Sequence, residues 1–243
     1  VWSDGANKDG STRHLFWGER QCGVWFGGGA EPVWGSAADI EALLSASAPS
    51  GRKWLRPVKL KIWLSGLLAK PFLFGPIEGL REDSEAFKIA QAKAHEATGL
   101  AGPCDVRIEG VPGREAAIAT VASGAVLKRL QGLSGGAGLS TVSIRPWWAA
   151  ATVLPLGESD TTLLAVHDGE SLTLLAERGR QWIAADNYPA TDRVDEPQRA
   201  LIRRRAMGLR IATTRLVLLS RDGTGGQGGG LPCWPMPTLV EVG

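Results

Sequence analysis

The strongest constraint on this chain is an order of elements that occurs twice: a three-strand meander, then a helix, then a further strand. In the first round, His14-Leu-Phe-Trp17 leads through a Gly18-Glu19-Arg20 turn into Cys22-Gly-Val-Trp-Phe26, and after three glycines into Pro32-Val-Trp34. Short apolar runs punctuated by Gly and Pro read as paired strands. Ser36 followed by Asp39 opens a capping-box pattern, and Ile40, Leu43 and Leu44 recur at helical spacing. Val58-Lys-Leu-Lys-Ile-Trp-Leu64 then alternates apolar with basic residues, which predicts a half-exposed strand ending at Ser65-Gly66. The second round runs Thr162–Val166, an Asp168-Gly169 turn, Ser171–Leu175, a turn at Gly179 and Gln181–Ala185. Asp-Gly between apolar runs is a strong hairpin signal. Asp195 and Gln198 cap a helix carrying Ile202, Ala206 and Leu209, and Arg215–Leu219 is the late strand.

Between the two rounds, the spacing predicts a helix over Asp83–Thr98 with Phe87, Ala90, Ala94 and Ala97 on its apolar stripe and Gly99 as its stop. Strands are expected at Cys104–Glu109, Ala116–Val121 and Thr141–Arg145. A helix with Val126, Leu130 and Leu133 on one face separates the last two and is broken by Gly135, Gly136 and Gly138. Pro146-Trp147-Trp148 precedes alanines that start a connecting helix. Asp222 to Gly230 reads as a Gly-rich linker; Pro232, Pro235 and Pro237 favour extended chain beyond it, and Leu239–Val242 is a candidate edge strand. The expected organisation is a first lobe over 13–150, a smaller second lobe over 151–221, and a linker and tail over 222–243.

Two such rounds resemble the duplicated ribonuclease H-like domains of the actin-like ATPase fold, an α/β architecture of two lobes with mixed sheets. More locally, Lys61-Ile-Trp-Leu-Ser-Gly-Leu-Leu-Ala-Lys-Pro-Phe72 and Val142-Ser-Ile-Arg-Pro-Trp-Trp148, with the meander that follows, are similar to two groups of cytoplasmic actin-like proteins. These are the type IV pilus assembly proteins (PilM) and the L-type component of type II secretion (GspL), and the resemblance spans Arg13 to Leu219. It implies a cytoplasmic scaffold, peripheral at the inner membrane, that docks a segment of an inner-membrane assembly protein; some members bind ATP between their lobes. ATP binding in that fold uses two Asp-and-Gly hairpins whose backbone N–H groups meet the phosphates, with an Asp near the metal. His167-Asp168-Gly169-Glu170-Ser171 resembles the second hairpin, making Asp168, Gly169 and Ser171 candidate nucleotide-binding residues. The first turn, Gly18-Glu19-Arg20, lacks the Asp-x-Gly that would complete the site, and a plain tight turn is the alternative for Asp168-Gly169.

Composition narrows the function further. Net charge is +2, so no global field draws the chain to nucleic acid or an anionic membrane. No eighteen-residue apolar run and no charged leader before an apolar stretch is present, which argues against a membrane span and a signal peptide. Cys22, Cys104 and Cys233 are odd in number and far apart, as expected of free thiols in a reducing compartment. Glu19, Asp105, Glu109 and Asp168 lie near strand ends but none occupies the centre of a first strand, where a two-metal nuclease needs its central carboxylate. Asp4 to Gly10 misses the EF-hand register. His14, His95 and His167 have no nucleophile beside them in sequence, and the nucleophile-elbow, Walker and dinucleotide glycine motifs are all missing.

The chain therefore reads as a non-catalytic scaffold with no cofactor of its own. ATP with magnesium in a cleft between lobes, as a switch or ATPase, is the alternative. A third class, nucleic-acid binding, would use Arg199, Arg203, Arg204, Arg205 and Arg210 on one helix, or the Arg52-Lys53-Trp54-Leu55-Arg56 cluster. The ten tryptophans, against five phenylalanines and one tyrosine, suit interface anchors or an aromatic core. Trp63, Phe72, Arg145, Trp147 and Trp148, expected to be exposed near the first sheet and the lobe boundary, are the candidate partner-binding residues. Packing between the lobes is the competing role, above all for Trp147 and Trp148.

Overall fold

The computed structural model describes residues 12–26, 32–46, 58–80, 82–108, 115–136, 139–152, 161–211, 213–219 and 237–241. The Asp4 to Gly10 turn, the Arg52 to Arg56 cluster and the 222–230 linker lie outside the described residues. The first meander comprises β1 (Thr12–Trp17), β2 (Gln21–Phe26) and β3 (Val33–Ser36), followed by a short 3-10 turn at Ala37–Asp39 and α1 (Ile40–Ala46). Ser36 caps that turn by accepting from the Ala38 amide at 3.3 Å. β4 (Val58–Leu64) returns parallel to β1, and β8 (Leu139–Pro146) adds parallel to β4, giving the sheet order β3-β2-β1-β4-β8.

The second sheet repeats this plan. Strands β9 (Thr161–His167), β10 (Ser171–Arg178) and β11 (Gln181–Pro189) form the meander, and α5 (Glu196–Leu209) leads to β12 (Thr213–Leu219), parallel to β9. Asp195 and Gln198 form a reciprocal capping box at the start of α5, satisfying two amides that the helix itself leaves open. The order is β11-β10-β9-β12-β13, where β13 (Pro237–Glu241) runs antiparallel to β12. The repeat thus holds through four strands and departs at the fifth, which is parallel in one sheet and antiparallel in the other.

A third, antiparallel sheet is inserted into the first lobe with order β5-β7-β6, built from β5 (Ala69–Phe74), β6 (Cys104–Ile108) and β7 (Ala117–Ser123). Sequence patterning misses β5 because Pro71 interrupts it. The structure puts that strand at the sheet edge, where the missing N–H costs no ladder bond. Helix α2 (Asp83–Thr98) covers this sheet and ends at Gly99 in the left-handed region, φ 65°. Its buried stripe is Ala86, Ala90 and Ala94, while Phe87 is exposed, so the apolar face is rotated by one position from that expected.

Four packed layers result. Leu15, Trp17, Leu60, Ile62 and Leu64 pack on α1 and on α3 (Gly124–Gly136) through Leu44, Leu130 and Leu133. Phe72, Phe74 and Val121 pack under α2, and Leu163, Leu172 and Leu174 under α5. Between the two main sheets lies an aromatic layer of Phe16, Trp25, Trp147 and Trp148 with Leu164, Val166 and Leu175, flanked by Trp34, Trp63 and Trp182. Helix α4 (Trp147–Ala151) carries two of these indoles inward. Trp147 meets Phe16 and Trp63 edge-on at 6.3 and 5.9 Å between ring centroids, geometry favoured by the ring quadrupole. The Trp148 indole N–H donates to the Ala69 carbonyl at 2.9 Å, linking this layer to the third sheet.

Two consequences are testable. Trp148 is only 2% exposed, so Trp148→Ala should cost about 3–5 kcal/mol in chemical denaturation through the cavity and the stranded carbonyl; wild-type stability would return Trp148 to the surface. Burial, with Asp39 adding to it, pushes the Cys22 thiol up to about 11, and its Sγ donates to the Ser36 carbonyl at 3.1 Å. At pH 8 roughly one molecule in a thousand carries that thiolate. Peptide-mapped alkylation should leave Cys22 unmodified until the protein unfolds while the half-buried Cys104 is modified in the native state.

Candidate functional site

The duplicated meanders point the tips of two hairpins at each other. The β1–β2 tip is Gly18-Glu19-Arg20, closed by the Gly18 amide donating to the Gln21 carbonyl at 2.8 Å. The β9–β10 tip is Asp168-Gly169-Glu170, closed by the Asp168 amide on the Ser171 carbonyl at 3.1 Å, with Gly169 at φ 87° where a side chain is disfavoured.

Each tip is served by side chains from the same region. Asp168 Oδ1 accepts from the Glu170 and Ser171 amides at 2.9 and 2.6 Å, and Oδ2 accepts from Ser171 Oγ at 2.7 Å and the Gly66 amide at 2.8 Å. Glu170 reaches into the opposite lobe. Its Oε2 accepts from the Glu19 amide at 2.6 Å, and its Oε1 from the Arg20 and Gln21 amides, both at 2.8 Å. Arg20 crosses the other way, donating from Nη2 to the carbonyls of Gly169 and Ala190 at 3.2 and 2.9 Å. Burial raises the Glu170 carboxyl above its usual range and the three amides pull against that, while the Asp168 charge raises it further.

Two glycines in the first lobe make this approach possible. A Cβ on Gly18 would lie 2.3 Å from Glu170 Oε2, and one on Gly66 would lie 2.4 Å from Ser171 Oγ and 2.5 Å from Asn187 Nδ2. The Asn187 amide group in turn donates to Thr173 Oγ1 at 2.9 Å. Gly66 itself is set by the Ser65 amide donating to the Trp17 carbonyl at 2.9 Å, which ties the end of β4 to the first hairpin.

This arrangement does not fit a magnesium–nucleotide complex as it stands. Phosphate oxygens would need the amides at 19–21 and at 170–171, yet Glu170 and Asp168 already accept from those groups. Asp168, the acid that the resemblance would put near the metal, has both oxygens committed to four donors. Among the described residues no group of three metal-ligating side chains converges.

The candidate residues separate into distinct places. Asp168, Gly169 and Ser171 come together in the second tip as expected. Phe72, Trp147 and Trp148 are each 2% exposed, which corrects the expectation of an exposed aromatic surface: Phe72 lies under α2 and the two indoles fill the layer between the sheets. Trp63 and Arg145 are half-buried partners across β4 and β8, and the Trp63 indole N–H donates to His14 Nδ1 at 3.4 Å. His14 is stacked on Trp25 at 5.2 Å and His167 bonds the Thr191 carbonyl at 2.8 Å, so both histidines are structural. On the arginine-rich helix, Arg203 pairs with Glu196, and Arg205 with Asp186 at 2.6 Å. The residues missed from sequence are Glu170 and Arg20. An acid directly after Asp-Gly was visible, but not that it reaches a turn about 150 positions away.

No protein-family model matches the chain, and no curated protein matches it. Solved structures do. A Bacteroides thetaiotaomicron VPI-5482 protein of actin-like ATPase fold and unknown function aligns over 89% of this chain and 84% of its own, with TM-score 0.52 and 9% identity. A PilM-PilN type IV pilus biogenesis complex aligns over 83% of this chain and 66% of its own, with TM-score 0.48 and 14% identity. The cytoplasmic domain of EpsL, an inner-membrane component of the Vibrio cholerae type II secretion system, aligns over 72% and 71%, with TM-score 0.44 and 13% identity. With sequence identity this low, shared geometry rather than kinship identifies the architecture: the chain has the actin-like ATPase fold.

Proposed function

We propose that this protein is a non-catalytic scaffold whose lobes stay closed without nucleotide and whose outer surface docks a segment of an inner-membrane assembly protein of a pilus or secretion machine. The observation that carries the first half is the occupation of both hairpin tips by the chain's own carboxylates, Glu170 and Asp168. The second half is supported by the resemblance of Lys61–Phe72 and Val142–Trp148 to pilus and secretion scaffolds. With Phe72, Trp147 and Trp148 buried and Trp63 packed into the layer between the sheets, the docking residue that remains is Arg145, half-buried beside Trp63 on β8 at the edge of the first sheet. No described helix is long and apolar enough to cross a membrane.

The competing function, a nucleotide-dependent switch, has the fold in its favour. It requires Glu170 and Asp168 to withdraw together, abandoning seven accepted hydrogen bonds, three at Glu170 and four at Asp168.

Thermal-shift and calorimetric titration with magnesium ATP separates the two. A ligand that binds only the folded state at a hundred times its Kd adds about 2.7 kcal/mol and raises the melting temperature visibly. The expected result is no saturable shift at millimolar nucleotide. A saturable shift lost in Asp168→Ala would replace the scaffold with the switch. For the docking half, Arg145→Glu should weaken binding of the partner's cytoplasmic segment by about tenfold or more. Unchanged affinity would remove the β4–β8 face from the interface.

A further inference from the structure

Three successive backbone amides, from Glu19, Arg20 and Gln21, converge within 2.6–2.8 Å on a single carboxylate. Convergent main-chain N–H groups form a concavity of fixed positive potential, and the complement to such a nest is an anion. The seat is also cleared sterically, because any residue larger than glycine at Gly18 would place its Cβ 2.3 Å from Glu170 Oε2. Its occupant is almost fully removed from water, with Glu170 1% exposed and its neighbour Asp168 2% exposed. Two adjacent buried carboxylates are unfavourable unless each is fully hydrogen-bonded, and here each is. Glu170 is held from behind as well, since its own carbonyl accepts from the Ala190 amide at 2.7 Å.

We propose that Glu170 is a tethered ligand: its carboxylate fills an oxyanion seat at the β1–β2 tip, so that closure of the two lobes is self-liganded and calls on no diffusing molecule. The proposal rests on the closed cleft of the scaffold reading but on no partner. A carboxylate delivered by its own hairpin acts at an effective concentration that millimolar free anion does not match. The wild-type seat is therefore closed to competitors, while a chain lacking the Glu170 side chain presents the same three amides to a sulfate or phosphate of suitable size.

The test compares melting temperatures of the full chain and its Glu170→Ala variant in sodium chloride, sodium sulfate and sodium phosphate at matched ionic strength. General stabilisation by excluded anions acts on both proteins and drops out of the difference between them. The variant should melt roughly 5–10 °C below wild type in chloride, and the gap should close saturably with sulfate or phosphate. A gap that is missing, or that sulfate and phosphate leave unchanged, overturns the proposal. If the variant does not accumulate as folded protein, refolding yield becomes the readout. A sulfate-over-chloride gain larger than wild type's supports the seat, and an equal gain overturns it. Gly18→Ala supplies the control, because its methyl group occupies the seat while every charge is retained. It should be destabilised with no anion rescue, and wild-type stability in that variant also overturns the proposal. These outcomes are independent of the nucleotide titration, in which only a saturable ATP shift of the wild-type chain sinks the scaffold reading.

Discussion

A carboxylate taken out of water must be met by donors, and the junction between the two lobes is organised around that requirement. Withdrawing one ion from solvent costs several kcal/mol even after relaxation, whereas each hydrogen bond to a charged group returns roughly 1.5–3 kcal/mol. Glu170 has three such bonds and Asp168 four; at Glu170 they offset burial only in part, since its carboxyl stays above its usual range. Six of the seven donors are main-chain amides of the two hairpins and of the Ser65-Gly66 turn, and the seventh is the Ser171 hydroxyl. The positions of the amides are therefore fixed by the strand register itself. Moving either lobe relative to the other strands charge on one side and amides on the other, which makes the relative placement of the lobes a consequence of satisfying polar groups.

The aromatic layer explains why so many tryptophans are spent here. All seven described tryptophans are in well-packed positions, and six of them, Trp25, Trp34, Trp63, Trp147, Trp148 and Trp182, contribute to the layer between the sheets. The seventh, Trp17, lies on the opposite face of the first sheet under the Arg129 guanidinium at 5.2 Å. Wide, rigid side chains span the gap between two twisted sheets with little rotamer entropy lost per unit area covered. The layer and the hairpin tips belong to the same junction. One supplies non-directional burial and the other supplies orientation, and neither alone would define a single closed arrangement.

Sequence carried the fold further than it carried the site, and the reason is range. Local signals are complete within a few residues: the Asp195–Gln198 box, the left-handed stop at Gly99, the alternation of β4 and the Asp168-Gly169 turn all appear where periodicity and turn chemistry place them. Pro71 hid β5 because an edge position, which tolerates proline, is a tertiary property. Periodicity alone places Phe87 inside, yet the alanine stripe beside it takes the buried face. For Trp147 and Trp148 the sequence tilts towards packing between the lobes without deciding it, since a tryptophan's neighbours across a lobe boundary leave no trace in its own segment. Glu170 is the sharpest case. Nothing near it in the chain distinguishes a solvated turn glutamate from one inserted into another lobe.

The same junction bears on what kind of machine this fold can be. A switch needs two arrangements close in free energy and a ligand whose affinity differs between them, because a ligand moves an equilibrium only by that difference. When the part of the ligand that bridges the lobes is replaced by a side chain, the bridging free energy is present at all times and no concentration modulates it. The closed form is then a constant property of the chain rather than a response. Such a molecule keeps the two-lobed shape while giving up the bistability that nucleotide control would demand. Rigidity of this kind suits a surface that must be presented in one geometry to a partner, because a docking face that needs no prior ligand loses none of its affinity to an inactive population.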